Sequence, residues 1–247
     1  MSTHIAVQQH GAVLEIKIDR PERKNALTRS MYLEIARILD EAAANQAVKV
    51  ILLTGQADIF CAGNDLSEFI DPPQRALDCA LRFMRSLYCV EKPVIAAVAG
   101  AAVGVGATML LHCDLVYAGE SAKLSFPFVL LGACPEFGST RTLTRLLGHQ
   151  RAMEVAMFGG ALSADKLREW GLVNEVVADA DLYTHALEKA HNMAKLSSGA
   201  VTAAKKLMRR SEPDMLALFE EEAREFVALA QLPESQAAIN LALNRSK

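Results

Sequence analysis

The sequence predicts a layered α/β fold with parallel strands. Two continuous apolar runs, "KVILLTG" (49–55) and "KPVIAAVAG" (92–100), each close on glycine, the pattern of strands covered on both faces. Segments of helical apolar spacing alternate with these runs through the first half of the chain. From Ser163 onward the strand signal fades and helical patterning takes over.

Taken in order, "AVLEIKI" (12–18) alternates apolar and polar residues and reads as a strand with one covered face. Thr28 stands as N-cap to a helix carrying Met31, Ile35, Ile38, Leu39 and Ala42 at helical spacing. "DIFCAGNDLSEF" (58–69) passes from strand edge to helix through Ala62-Gly63-Asn64-Asp65, short and polar where a packed core wants bulk. Pro72-Pro73 breaks the chain before a helical stretch at 74–90, and "DLVYAG" (114–119) reads as a third buried strand. A helix begins near Ser139, and "SADKLREWGLV" forms a short one with Ser163 as N-cap and Gly171 as its stop. Little strand signal follows "NEVV" (174–177). Leu216, Phe219, Ala223, Phe226, Val227 and Ala230 make an apolar helical stripe, flanked by Glu220, Glu221, Glu222 and Arg224. Such a stripe packs on its own domain, or serves as a subunit contact or a lid.

The 247 residues suffice to bury a full core, and 51% hydrophobic with 22% charged residues is ordinary for a globular chain. A net charge of −3 gives no reason to expect nucleic acid or an anionic membrane as partner, while leaving room for a local basic patch on a phosphorylated ligand. Cys61, Cys79, Cys89, Cys113 and Cys134 form no CxxC pair and are odd in number; they read as reduced, buried thiols, not as a disulfide frame or zinc site. The N-terminus shows no basic segment followed by an apolar one, and no uncharged run has the length of a membrane helix. The chain ends in "RSK", without the final Leu of a peroxisomal address, so the expectation is a cytoplasmic protein.

Two glycine turns follow buried strands: Ala62-Gly63-Asn64-Asp65-Leu66, and Gly100 to Gly106. The second holds a GxG but no full dinucleotide fingerprint, and no acidic residue ends a strand about 20 residues on. One such turn by itself reads as tight packing. Two of them at strand-to-helix junctions also suit free backbone N–H groups converging on a developing negative charge.

Here the chain resembles a family. "PERKNALT", "FCAGNDL", "KPVIAAVAGAAVGVGATMLLHCDLVYAGESAKLSFP" and "LSADKLREWGLVNEVV" are similar to the crotonase, or enoyl-CoA hydratase/isomerase, superfamily, in register from about Ile5 to Val177. The resemblance implies a spiral of ββα units over 1–192 and a helical C-terminal trimerisation or lid region over 193–247. It implies an acyl-CoA thioester as substrate, coenzyme A entering only with it, no separate cofactor or metal, and a homotrimer or dimer of trimers. By matching motifs, the backbone N–H groups of Asn64 and Val105 form the oxyanion hole. Val105 departs from the glycine common there, which narrows the acyl pocket.

The positions of the two hydratase glutamates are held by Thr108 and Phe128, neither of which is a general base at neutral pH. One carboxylate remains in the right region, Glu136 in "LLGACPEFGST". Read alone it is a solvated loop residue or a charge at a helix N-terminus. The stretch "FPFVLLGACPEFGS" is similar to Δ3,Δ2-enoyl-CoA isomerases of the peroxisomal type, in which the matching glutamate acts alone, moving a proton from C2 to C4 of a 3-enoyl-CoA. Phe126, Phe128, Leu131 and Phe137 would raise its pKa by lowering the local dielectric. The resemblance places the CoA adenine and phosphates near Arg23, Lys24, Asn25 and Ala26, and pantetheine along Ala62, Gly63, Asn64, Asp65 and Leu66, with Gly104 and Phe128 as further substrate-binding residues.

Arg23 and Lys24 read equally well as solvated charges, and Asp65 as a helix-capping acid. Asp114 and His112 read as structural. Lys205, Lys206, Arg209 and Arg210 form a basic helical cluster, either a solvated face or a further phosphate contact. Two other readings stand beside the isomerase: nucleophilic or hydrolytic chemistry through the same carboxylate, and a catalytically silent acyl-CoA-binding protein.

Overall fold

The computed structural model describes residues 4–69, 73–210 and 214–245. Pro72 of the expected Pro72-Pro73 break, and Ser246-Lys247 of the "RSK" end, lie outside them. Among the described residues ten strands form two sheets: β1 (Ile5–His10), β2 (Val13–Ile18), β3 (Val50–Thr54), β4 (Ile59–Cys61), β5 (Val94–Val98), β6 (Ala101–Val103), β7 (Leu115–Gly119), β8 (Lys123–Ser125), β9 (Leu162–Ser163) and β10 (Glu175–Val177). The larger sheet has the order β1-β2-β3-β5-β7-β10, and the smaller β4-β6-β8-β9. The pairs β1–β2 and β8–β9 are antiparallel and the rest parallel.

Successive strands switch sheets. β3 and β4, β5 and β6, and β7 and β8 each place one strand in the larger sheet and the next in the smaller. After the first two pairs come α2 (Pro73–Cys89) and α3 (Val105–Thr108), which continues as a 3₁₀ turn to His112. This is the spiral of ββα units the sequence led us to expect. The other helices are α1 (Arg29–Ala44), α4 (Ser139–Leu147), α5 (His149–Phe158), α6 (Ala164–Glu169), α7 (Asp179–Ala194), α8 (Ser198–Arg209), α9 (Met215–Ala230) and α10 (Pro233–Arg245).

Period-two alternation divides the larger sheet's side chains between two cores. Ile51, Leu53, Val94 and Ala96 join α1 and α2, whereas Val50, Leu52, Ile95 and Ala97 pack on Leu182, Ala186 and Ala190 of α7. Burial on both faces explains why β3 and β5 are apolar throughout. Thr28 caps α1 as expected, its hydroxyl accepting from the Met31 N–H at 3.3 Å.

Several expectations are corrected. β1 was not foreseen: it is an exposed edge strand, with only Ile5 buried. In α9, Leu216 is exposed and Met215 takes its place in the buried stripe, while Glu222, expected on the solvated flank, is buried. Ser163 precedes α6 but its side chain makes no capping bond. Among the cysteines, all free, Cys61 is buried, Cys79, Cys113 and Cys134 are half-buried and Cys89 is exposed, so full burial holds for Cys61 alone.

Candidate active site

A cleft of about 550 Å³ lies where the two glycine turns meet the C-terminal helices. Its one side gathers Arg23, Lys24, Ala26, Ala62, Gly63, Asn64, Asp65, Leu66, Gly104, Val105 and Phe128, and its other side is Phe226 and Ala230 of α9 with Ala238, Ile239 and Leu241 of α10. The sequence resemblance grouped the first set; the apolar wall from α10 carried no signal of its own.

The turns are short-sided because the backbone crowds itself there. A Cβ on Gly63, whose φ is +94°, would stand 2.8 Å from the Val103 carbonyl oxygen, and one on Gly106 would stand 2.5 Å from that of Cys61. The two turns therefore interlock before any ligand arrives. Leu27 bridges to Asn64 as a parallel strand would: its N–H donates to the Gly63 carbonyl at 2.8 Å, and its carbonyl accepts from the Asp65 N–H at 2.9 Å. That pattern leaves the N–H of Asn64, a residue that lines the cleft, on the side away from Leu27. Val105 opens α3 directly after Gly104, whose φ is +55°, so its N–H lies in the first turn and has no intrahelical partner. The Asn64 side chain is held as well, Oδ1 accepting a hydrogen bond from the Tyr32 hydroxyl of α1.

Glu136 lies behind this wall. It is 3% exposed, does not itself line the cleft, and receives a hydrogen bond at 3.4 Å from the Thr108 hydroxyl of α3. Burial pushes its carboxyl up to about 8, the nearby charge of Glu222 adds to the rise, and the Thr108 bond opposes it. The surrounding loop is strongly shaped: Phe137 has φ +60° and Gly138 φ +65°. The ring of Phe137 stacks on His112 at 4.2 Å, and the His112 Nε2 sits 2.5 Å from the Phe137 carbonyl oxygen. Burial drops His112 to about 4, so it is a neutral donor that holds the loop, the packed histidine expected.

From α9, Glu222 reaches the same loop. Its Oε2 accepts from the Gly138 N–H at 2.6 Å, and its Oε1 from the Thr140 N–H at 3.3 Å and the Thr140 hydroxyl at 2.5 Å. These fill the open N–H groups at the start of α4 with a carboxylate from a distant segment.

Several polar groups flagged by sequence have other occupations. Asp65 pairs with Arg20 at 2.8 Å and accepts from the Ser67 N–H and hydroxyl, so it caps the 3₁₀ turn at 66–69, as expected of a structural acid. Asn25 is turned inward, its amide donating to the Ile59 and Phe60 carbonyls, which removes it from the set of phosphate contacts. Arg23 and Lys24 remain exposed at the cleft mouth. The basic cluster of α8 divides: Lys205 is buried against Asp114 at 2.7 Å and the Lys92 carbonyl, and Arg209 binds the Tyr88 and His112 carbonyls. Lys206 and Arg210 are exposed, and none of the four lines the cleft. Among the described residues no helix is long and apolar enough to cross a membrane, and no group of three or more His, Cys, Asp or Glu side chains is arranged to hold a metal ion.

A family model described as enoyl-CoA hydratase/isomerase matches residues 8–242. The chain is 36% identical over 212 residues to the 1,2-epoxyphenylacetyl-CoA isomerase of Escherichia coli (strain K12), covering 83% of this chain and 81% of that protein. With enoyl-CoA delta isomerase 2 of Rattus norvegicus it shares 32% identity over 228 residues, 90% of this chain and 58% of that protein. The structure of OdaA from Pseudomonas aeruginosa superposes with a TM-score of 0.96 at 41% identity, covering 99% of this chain and 100% of that one.

Proposed function

The chain belongs to the enoyl-CoA hydratase/isomerase, or crotonase, family, and from that premise we propose that it is a Δ3,Δ2-enoyl-CoA isomerase in which Glu136 alone carries the proton. The observation behind this reading is the combination of a carboxylate that is buried and raised to about 8 with two backbone N–H groups in the adjoining turns that are free of partners among the described residues. The family also holds hydratases, whose chemistry needs two acids about one water. Thr108 and Phe128 supply none. Glu222 does not stand in, because both of its oxygens are engaged at the start of α4.

In this mechanism the thioester carbonyl of a 3-enoyl-CoA accepts from the N–H groups of Asn64 and Val105, and its acyl chain extends toward Glu136. The ionised carboxylate removes a proton from C2. The electron pair moves into the C2–C1 bond and onto the thioester oxygen, where the two N–H donors stabilise it. The enolate then collapses, the C3–C4 double bond shifts to C2–C3, and Glu136 returns the proton at C4. No proton is gained or lost. A base with a pKa near 8 is better matched to an α-proton than an ordinary glutamate. Arg23 and Lys24 would meet the CoA phosphates at the mouth.

The test follows the ultraviolet absorbance of a conjugated enoyl thioester on mixing 3-hexenoyl-CoA with wild type and Glu136→Gln. Rising absorbance with wild type, and a rate lower by orders of magnitude in the variant, is the expected result. Wild type that binds the thioester without a signal overturns the isomerase reading.

A further inference from the structure

We infer that Glu222, on α9, is a positioning residue for Glu136: it clamps the loop that carries the base and sets the charge the base must ionise against. The inference rests on the reading of Glu136 as the proton carrier.

The geometry makes Glu222 unusual for a helix-surface acid. It falls on the same face of α9 as Met215, Phe219 and Phe226, and is 5% exposed. A buried carboxylate is costly unless its oxygens are satisfied, and three donors from Gly138 and Thr140 satisfy this one. Those donors begin two residues after Glu136. Gly138 is held under the same helix so closely that a Cβ there would stand 2.5 Å from the Met215 sulfur and 2.8 Å from the Phe219 ring. The clamp and the close approach act together: α9 pins the peptide segment whose neighbour is the base.

The second effect is electrostatic. Two buried acids of like charge in one neighbourhood disfavour ionising both. Burial raises Glu222 too, but its three donors oppose that rise where Glu136 has only the Thr108 bond, so the proton is left with Glu136. The other groups that face Glu136 leave Glu222 as the main charge in play. Tyr32 of α1 is buried with its pKa raised by burial and by Glu136 itself, His112 is neutral, and the thiol of Cys134 is pushed up to about 11 by burial. Thr108 contributes a hydrogen bond, and the charge of Arg141 on α4 favours the ionised form of Glu222.

The experiment compares Glu222→Gln, Glu222→Asp and Thr140→Val with wild type by two readouts. The first is titration of the Glu136 carboxyl by carbon NMR of protein labelled at the glutamate side-chain carboxyl, its resonance assigned by its loss in Glu136→Gln. The second is kcat and KM for 3-hexenoyl-CoA across pH. In Glu222→Gln the Glu136 titration moves to lower pH, and kcat falls on the order of ten- to a hundredfold with KM nearly unchanged, as for a displaced base. Glu222→Asp and Thr140→Val keep the charge, so the titration stays in place while kcat drops. An unmoved titration in Glu222→Gln overturns the inference. Should that variant not fold, wild-type kcat in both of the other two overturns it equally. The NMR readout is independent of turnover, so a protein that fails to isomerise 3-hexenoyl-CoA but still shows the shift condemns the isomerase reading and not this one.

Discussion

The hydroxyl of Tyr32 donates to Oδ1 of Asn64, and the ring of Tyr32 begins a line of aromatics that ends beside Glu136. Tyr32 meets Phe83 at 5.6 Å, Phe83 meets Phe137 at 5.9 Å, and Phe137 directly follows the carboxylate. The two halves of the site, one on the first glycine turn and one on the loop before α4, are therefore joined through packed rings. Replacing Tyr32 by Phe keeps the rings and removes the bond. We expect a stability loss of about 1 kcal/mol in urea unfolding. The fall in kcat should stop well short of the 10²–10³ loss that follows removal of an oxyanion donor, because the Leu27 bridge, not the side chain, aims the Asn64 N–H. A loss in kcat as large as that would show the side chain to be part of the machinery.

The raised pKa of Glu136 has a stability consequence with a definite sign. Its folded value of about 8 lies above the ordinary 4.5. A group of this kind favours the folded state fully below the unfolded pKa, and the benefit is lost as pH rises through the folded one. Glu136→Gln removes the cost of burying the charge. The variant should match wild type near pH 4 and become more stable by about 2–5 kcal/mol at pH 8, read as a growing gap in Tm between pH 5 and 8. A constant gap would mean the carboxyl titrates at an ordinary value.

Under the proposed mechanism the same carboxyl should set the acid limb of activity. A general base ionising near 8 gives a kcat/KM that falls about tenfold per pH unit below that value. A profile flat from pH 6 to 9 would remove Glu136 as the titrating base.

Lys205 and Asp114 bind α8 to the start of β7, and Lys205 also donates to the Lys92 carbonyl ahead of β5. Lys205→Met should lower stability by about 1–3 kcal/mol, since it leaves the partly buried Asp114 carboxylate with only the Val94 N–H and Arg209 at 3.6 Å. KM for an acyl-CoA should not change, because the residue does not line the cleft. An increase in KM without loss of stability would restore the phosphate-binding role considered from the sequence.

Arg23 and Lys24 should behave in the opposite way. Each alanine variant is expected to raise KM roughly two- to fivefold, an exposed ion pair being worth at most about 1 kcal/mol, and the effect should shrink in high salt. Asn25→Ala breaks bonds to the Ile59 and Phe60 carbonyls, and should cost about 1–3 kcal/mol of stability instead.

What was legible in the sequence follows the length of each signal. Strands of five residues buried on both faces, such as β3 and β5, and the capped α1, spell their environment in their composition. The strands of the smaller sheet have two or three residues, too few for any periodicity, and β1 is an edge with polar residues on most of its length. The cleft was grouped by motif resemblance, and the role expected of Glu136 came from the resemblance of its loop to the isomerases, since read alone it was a solvated charge. Glu222 was misplaced because "FEEEAREF" reads as a charged flank, although its offset of seven from Met215 and three from Phe219 puts it on the buried face. Tyr32 was hidden by its company, an aromatic in an apolar stripe. The glycine turns were read singly as tight packing and together as also suiting convergent N–H donors; the structure shows the packing, with Gly63 and Gly106 making room for the chain itself.

The clamp of Glu222 on Gly138 spans 84 positions of sequence. At translation speeds of about 5–20 residues per second, roughly 4–17 seconds separate the emergence of the loop from that of the acid that fastens it. The last wall of the cleft, from α10, arrives later still. A nascent chain can wind its spiral during that interval, but its pocket stays open on one side, with the start of α4 uncapped, until α9 and then α10 have left the ribosome. Truncation by as few as the residues of α10 should then leave a folded core with an apolar floor facing solvent, a state that chaperones and proteases would meet before any thioester did.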